Sequence, residues 1–357
     1  MRSLILSIVS VLPRAIHHFL RTLNHSNLRA VNNSFGNILR MTISGASHAE
    51  KVGVDIEGVP AGVALAAKDF AADLERRRPK SVGDTPRKED DIPYIEGLDS
   101  KGVTTGDKIT ISFLNKNTRS ADYSHLSRQP RPSHADLTQM LKYGSEYNLA
   151  GGGIASGRMT VALVAAGVVA KRLIPEAIFA TKLCRVGAST NPNEFDRIIA
   201  EARANGDSVG GVVECRVGGV PATLGEPFFD SVESVVAHLL FAIPGVKGVE
   251  FGDGFACASS YGSERNDAIV EASGRTKTNN EGGINGGISN GNEIVVRVAI
   301  KPTPSIAREQ HTYNFDSKAI EPLTIGGRHD SCIARRAMVV VEAMVAFALA
   351  DLKLQNQ

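Results

Sequence analysis

Two histidines, an aspartate and a scatter of arginines lie in turn-forming stretches of this chain. His48 falls in Ser44-Gly45-Ala46-Ser47-His48-Ala49, His134 in Arg131-Pro132-Ser133-His134-Ala135-Asp136, and Asp330 in Gly326-Gly327-Arg328-His329-Asp330-Ser331. An imidazole changes charge near neutral pH and a carboxylate can accept a proton, so these types suit proton transfer. Arg77, Arg131, Arg158 and Arg328 stand in or beside such turns, and guanidinium forks match carboxylate and phosphate oxygens. Each also has a plainer reading. A loop histidine can be a solvated polar group. Glu75-Arg76-Arg77-Arg78 before Pro79 closes a helix whose dipole favours cations, and adjacent arginines point apart, so at most two reach one pocket. Asp330 or Ser331 can be the N-cap of the apolar helix over 332–354.

The stretch Asn279–Ser305 adds a candidate ligand wall. Asn279–Gly291 holds five glycines in thirteen residues, which excludes a regular helix or strand and lets backbone amides approach an anion such as phosphate. From Ile294 the period changes to two: Ile294, Val296, Val298 and Ile300 alternate with Val295, Arg297, Ala299 and Lys301, as in a half-buried strand. Arg297 and Lys301 then share a face roughly 13 Å apart, a spacing for a long polyanion. Pro302 and Pro304 end the strand and leave Thr303 and Ser305 at its tip. A surface hairpin with two solvated cations fits the same pattern.

Other elements must carry these turns. Strands over 40–43 and 52–56 would hold His48 at a loop tip, and a helix over 68–78 would end at the arginine triplet. The dense run 117–136 contains Arg119, Asp122, Tyr123, Arg128 and Arg131. It leads to Ser133, which predicts an N-cap through its S-x-x-D pattern, with His134 in the first turn and its pKa depressed by the dipole. Gly151-Gly152-Gly153 precedes Ser156, Arg158 and an apolar helix over 159–174, whose entrance could receive an anion. Neither G-x-x-x-x-G-K-[ST] nor G-x-G-x-x-G occurs there, so no nucleotide-binding fold is supported. Gly53–Ala61 and Gly211–Ala222 echo each other as strands entering a G-V-P-A turn, which hints at two similar halves.

The 357 residues can bury a large core, and 40 Lys plus Arg against 38 Asp plus Glu argue against a broad nucleic-acid or membrane footprint. Cys184, Cys215, Cys257 and Cys332 form no C-x-x-C pair and read as reduced core thiols without a metal site. Residues 1–31 lack Asp and Glu and carry four arginines and an apolar run from Leu4 to Leu12. A transit segment or an upstream start codon would account for them, and the fold is expected in 32–357 as a single domain. No later run is long and apolar enough to span a membrane.

In order along the chain, R-R-R-P at Arg76, R-S-x-D-Y at Arg119, R-P-S-H-A-D at Arg131, G-G-G at Gly151, N-N-x-G-G-I-x-G-G-I-S-N-G at Asn279, K-P-T at Lys301 and G-R-H-D at Gly327 resemble the chorismate synthase family. The resemblance runs from about Asn33 to the last helix. It implies an α+β fold, a β-α-β sandwich with helices layered between antiparallel sheets, in a cytoplasmic homotetramer. It also implies a lyase that eliminates phosphate and a ring proton from 5-enolpyruvylshikimate 3-phosphate, using reduced FMN without net redox change. His48, His134 and Asp330 would be catalytic, and Arg77, Arg131, Arg158 and Arg328 would bind the substrate. Ala155, Ser156, Gly286, Lys301, Pro302, Thr303, Pro304, Ser305 and Arg328 would hold FMN, and NADPH would be only an indirect reductant. Ala46, Ile154, Ala155, Met159 and Ser331 depart from the family pattern, which keeps a non-catalytic FMN-binding relative in view. A nucleic-acid module built on the arginine runs is the other competing reading, disfavoured by balanced charge and few aromatics.

Overall fold

The computed structural model describes residues 32–117, 126–144, 149–327 and 329–356. In chain order the first sheet contains β1 Ser34–Phe35, β2 Arg40–Gly45, β3 Lys51–Glu57, β4 Tyr94–Glu96 and β5 Ile109–Leu114, with α1 Ala71–Arg77 after β3. Helices α2 Asp136–Tyr143 and α3 Thr160–Leu173 follow. Then come β6 Ile178–Val186, α4 Pro192–Ala204, β7 Gly211–Gly218, α5 Val232–Phe241, β8 Val246–Phe251 and the short α6 Gly262–Arg265. Two-residue strands β9 Ile284–Asn285 and β10 Ile288–Ser289 precede β11 Ile294–Ile300, the hairpin β12 Gln310–Asn314 and β13 Ala319–Leu323, and finally α7 Ile333–Gln355.

Both large sheets are antiparallel, ordered β1-β2-β3-β5-β4 and β6-β7-β11-β8. Their inward faces follow the two-residue repeat: Val52, Val54 and Ile56 on β3, and Ile294, Val296, Val298 and Ile300 on β11, are all buried. Helix α3 packs on β2, β3 and β5, helix α7 packs on β6, β7 and β11, and the two helices pack on each other. The expected sandwich with helices between antiparallel sheets is therefore the observed architecture. One continuous apolar core runs through both large sheets and the helices between them. The two echoing segments supply β3 and β7, each an interior strand of its own sheet.

The helix layer is thin because α3 and α7 touch backbone to backbone. A Cβ placed on Gly167 would lie 2.3 Å from the Ala343 Cβ, closer than any real contact. Residues 160–170 of α3 are buried on all sides, so its apolar sequence reflects a central position. The carboxylate of Asp351 on α7 accepts the backbone N–H groups of Asn37, Ile38 and Leu39, tying the turn before β2 to the last helix.

Several local expectations change. The cap of α7 falls at Cys332, so neither Asp330 nor Ser331 plays that part. Cys215 and Cys332 are buried, whereas Cys184 is half-buried and Cys257 exposed. Arg119, Asp122 and Tyr123 lie outside the described residues, as do residues 1–31. No helix among the described residues is long and apolar enough to cross a membrane.

Of the arginine triplet, Arg76 turns away from Arg77 to bind Glu342 of α7 through two hydrogen bonds of 2.7 Å, and Lys171 of α3 reaches the same carboxylate at 2.6 Å. Burial raises the Glu342 carboxyl, but Arg76 and Lys171 together outweigh it and bring the pKa to about 2. A carboxyl depressed on folding contributes stability that is complete above its unfolded value and lost as pH falls through the folded one. Glu342→Gln is expected to cost about 2–3 kcal/mol at pH 7, less than a fully buried pair because Arg76 is 40% exposed. It should also flatten the loss of stability between pH 4.5 and 2, as read by denaturant titration at each pH.

Candidate active site

A cavity of about 500 Å³ opens between the start of α3, the start of α7, the end of α5 and the tip of β11. The chain arrives there by turns. Gly151, Gly152 and Gly153 all adopt left-handed φ, at 62°, 87° and 56°, a run that only glycine sustains without strain. This turn passes beside both histidines: a Cβ on Gly151 would sit 2.6 Å from the His48 ring, and one on Gly152 would sit 3.3 Å from that of His134. Ser47 N donates to Gly153 O, so the His48 loop is stitched to the glycines. Ser156 then caps the next turn by accepting from Arg158 N.

Five arginines and two lysines line the cavity, and buried acids organise the arginines. Arg77 Nη1 donates to Asp91 Oδ2 at 3.0 Å and Arg158 Nη1 pairs with Asp91 Oδ1. The rest of the Arg77 guanidinium covers Thr160 Oγ1 and the Gly157 and Arg158 carbonyls at the entrance of α3. That helix mouth therefore presents a cation, not bare amides. Burial pulls the Arg77 pKa down to about 9, against the charge of Asp91, and the group stays charged at neutral pH. Arg87 pairs with Glu89 and reaches Ser47. Lys301 donates to Ser133 O at 2.6 Å. Burial and the neighbouring charge of Lys247 lower its pKa. Among the described residues, neither lysine has a carboxylate partner.

Asp136 is fully buried and gathers the second cluster. Arg131 grips it through Nε and Nη2, each at 2.7 Å, and donates from Nη1 to Ser305 Oγ. His134 Nδ1 lies 2.7 Å from Asp136 Oδ1 and 3.1 Å from Arg131 Nη2. The charged carboxylate at the shorter distance favours Nδ1–H, which leaves Nε2 as the basic nitrogen on the side of Gly152. His134 precedes α2, whose cap is Ala135, so it lies just outside the helix and not in its first turn as the sequence pattern predicts. Burial lowers its pKa, the Asp136 hydrogen bond opposes, and the Arg131 charge adds to the lowering. For Asp136, burial raises the pKa, but Arg131 and His134 outweigh it and hold the carboxyl well below its usual range.

Of the residues expected from sequence, Arg77, Arg131, His134, Ala155, Ser156, Arg158, Lys301, Thr303, Pro304, Ser305 and Asp330 all line this cavity. His48 is half-buried behind Gly151, one layer from the wall. Pro302 is exposed and off the wall. Gly286 sits at the β9–β10 tip with open space around it and does not reach the cavity. Arg328 lies outside the described residues. Arg297 faces away, held by Glu214, Glu250 and Gly252 O, so it and Lys301 do not share a ligand.

A family model described as chorismate synthase matches residues 39–354. A chorismate synthase of Chitinophaga pinensis is 51% identical over 325 residues, covering 91% of this chain and 97% of that protein. The chain belongs to the chorismate synthase family. A chorismate synthase of Methanocaldococcus jannaschii is 39% identical over 367 residues, with the same two shares. A crystal structure of a chorismate synthase aligns with a TM-score of 0.66 at 26% identity, over 90% of this chain and 93% of that one. Family membership and these relatives make the chain a lyase of the chorismate synthase type.

Sequence reasoning missed Asp91, Glu89, Arg87, Arg336 and Lys247 in this chorismate synthase-type cavity. The alternation Thr85, Arg87, Glu89, Asp91 on its wall was available as a signal, hidden because this segment forms no strand.

Gly151→Ala should displace His48 and cost about 1 kcal/mol of stability from the left-handed backbone alone; the His48 ring resonances must move while those of distant His311 do not. In the ligand-free protein, His134 should titrate below 6.5, and Asp136→Asn should lower it further by removing the opposing carboxylate. Histidine NMR across pH 4–8 reads both, and an upward shift in Asp136→Asn would contradict the assignment.

Proposed function

We propose that this chain converts 5-enolpyruvylshikimate 3-phosphate to chorismate by breaking the carbon–oxygen bond to phosphate and removing a ring proton, with no net redox change. The observation that carries this reading is the meeting of Arg77, Arg131 and Arg158 with His134 and Asp330 around one cavity. A substrate with two carboxylates and a phosphate needs several fixed cations, and guanidinium groups pre-set by buried carboxylates meet that need without reorganising.

The cavity fits a flavin in volume and character. About 500 Å³ is within the range of organic ligand sites. Apolar Ile243, Val246, Ile333 and Val340 offer surface for a ring, and Lys301 with Lys247 offers positive charge not already neutralised by an acid. Ala155, Ser156, Lys301, Thr303, Pro304 and Ser305 would hold it. Reduced FMN, when bound, supplies transient electron density to the breaking carbon–oxygen bond and recovers it as the product forms.

The chain's own groups handle charge and protons. Neutral in the free protein, His134 would gain a proton at Nε2 once a phosphate dianion lies against it, because the anion offsets both the burial and the charge of Arg131. The imidazolium then stabilises the departing phosphate, with Asp136 holding Nδ1–H and the ring in place. Asp330 is the proton acceptor for the reacting system, and its backbone carbonyl is fixed by Thr303 Oγ1 at 2.6 Å. His48, behind Gly151, would tune the same region from the second layer.

Anaerobic incubation with dithionite-reduced FMN and 5-enolpyruvylshikimate 3-phosphate should release inorganic phosphate over many turnovers. Binding of both ligands without release would instead favour a non-catalytic flavin-binding relative. His134→Ala should lower turnover on the order of 10²–10³-fold while leaving the thermal midpoint nearly unchanged; matched losses in both would make the residue structural.

A further inference from the structure

Arg336, on the second turn of α7, is not among the groups considered so far for binding or proton transfer, yet it touches two of them. Its Nη1 is shared between both oxygens of Asp330, at 3.1 Å to Oδ1 and 2.8 Å to Oδ2. Its Nε donates to the backbone carbonyl of Arg77 at 2.9 Å, in the last turn of α1. Thr85 N donates to Asp330 Oδ1 at 2.8 Å. The segment after Asp330 is joined to the same loop through Ser331 N to Gly83 O.

We infer that Arg336 is the positioning residue that locks the Asp330 carboxylate and sets its place relative to Arg77. Without Arg336, Asp330 would keep its backbone anchor at Thr303 but would lose the only cation paired with its side chain among the described residues. The hydrogen bonds also distinguish the two oxygens. Oδ1 accepts from Thr85 N and Arg336 Nη1 and so has both lone pairs engaged. Among the described residues Oδ2 accepts only the Arg336 bond and retains one lone pair for an incoming proton. Oδ2 is therefore the accepting atom. The bond that forms is Oδ2–H, with the electron pair of the broken bond to that hydrogen remaining on the donor. This inference rests on the proposed role of Asp330, while the locking of its side chain can be tested separately.

Arg336→Gln should lower kcat about 100-fold with KM for the substrate changed only a few-fold, since a misplaced reacting group costs rate more than binding. Arg336→Lys should retain more of the rate than Arg336→Gln, and millimolar guanidinium should partly restore the smaller Arg336→Ala variant. A role in folding alone would lower the thermal midpoint without guanidinium rescue, and an unchanged kcat in folded Arg336→Gln would also overturn the inference. Ligand-free crystal structures provide the second readout. Asp330 should hold one side-chain orientation in the wild type and leave it in Arg336→Gln; an unmoved carboxylate overturns the lock even if turnover falls. Absence of phosphate release by the wild type, with Asp330 displaced in the variant, would reject the proposed reaction and leave the lock standing.

Discussion

Guanidinium groups crowded into a half-buried cavity repel one another, and the site depends on the carboxylates that answer that repulsion. Asp91 joins Arg77 to Arg158, Asp136 joins Arg131 to His134, and Asp330 takes Arg336. Asp91 serves cations 14 and 67 residues away, whereas Asp136 and Asp330 serve guanidinium groups five and six residues away. Such pairs are weak as sources of net stability, because desolvation offsets much of their attraction. Their value here is orientation. They fix donors before a ligand arrives, which is the condition under which charged groups favour a transition state most.

The fold makes this arrangement affordable. Apolar packing of α3 and α7 between two sheets provides the stability, and the Gly167–Ala343 contact brings the helices close enough for their N-terminal ends to share a wall. Arg158 stands just before α3 and Arg336 just inside α7, so neighbouring helix starts present both cations to the same space. The glycine turn 151–153 then bends the backbone between His48 and His134, where a Cβ on Gly151 would collide with the His48 ring and one on Gly152 would crowd that of His134.

Much of this was legible in the sequence because it depends on local pattern. The alternation over 294–300, the apolar helices and the glycine triplet all reflect short-range rules, and each element lies within a residue or two of its expected place. What stayed hidden depends on partners distant in sequence. Arg297 and Lys301 have the same spacing in either reading; it is Glu214 and Glu250, on the two neighbouring strands, that hold Arg297 away from the site. The S-x-x-D pattern misled because Asp136 is drawn to Arg131 and His134, while Ser133 takes a left-handed φ of 58° and leaves the cap to Ala135. Asp91 shows only an alternation with Thr85, Arg87 and Glu89 that no strand accompanies, and its role in joining Arg77 to Arg158 depends on residues 14 and 67 positions away. The glycines around Gly286 build a tight hairpin away from the cavity, the plainer of the two readings open for that stretch.

These acid-oriented cations should act as one binding surface for a multiply anionic substrate. A crystal structure with 5-enolpyruvylshikimate 3-phosphate and FMN is the decisive measurement. The substrate's phosphate and carboxylate oxygens should lie within about 3 Å of guanidinium nitrogens from Arg77, Arg131 and Arg158, with His134 Nε2 facing the phosphate. A substrate bound on another surface, with those arginines left on the protein partners they have without ligand, would rule this out.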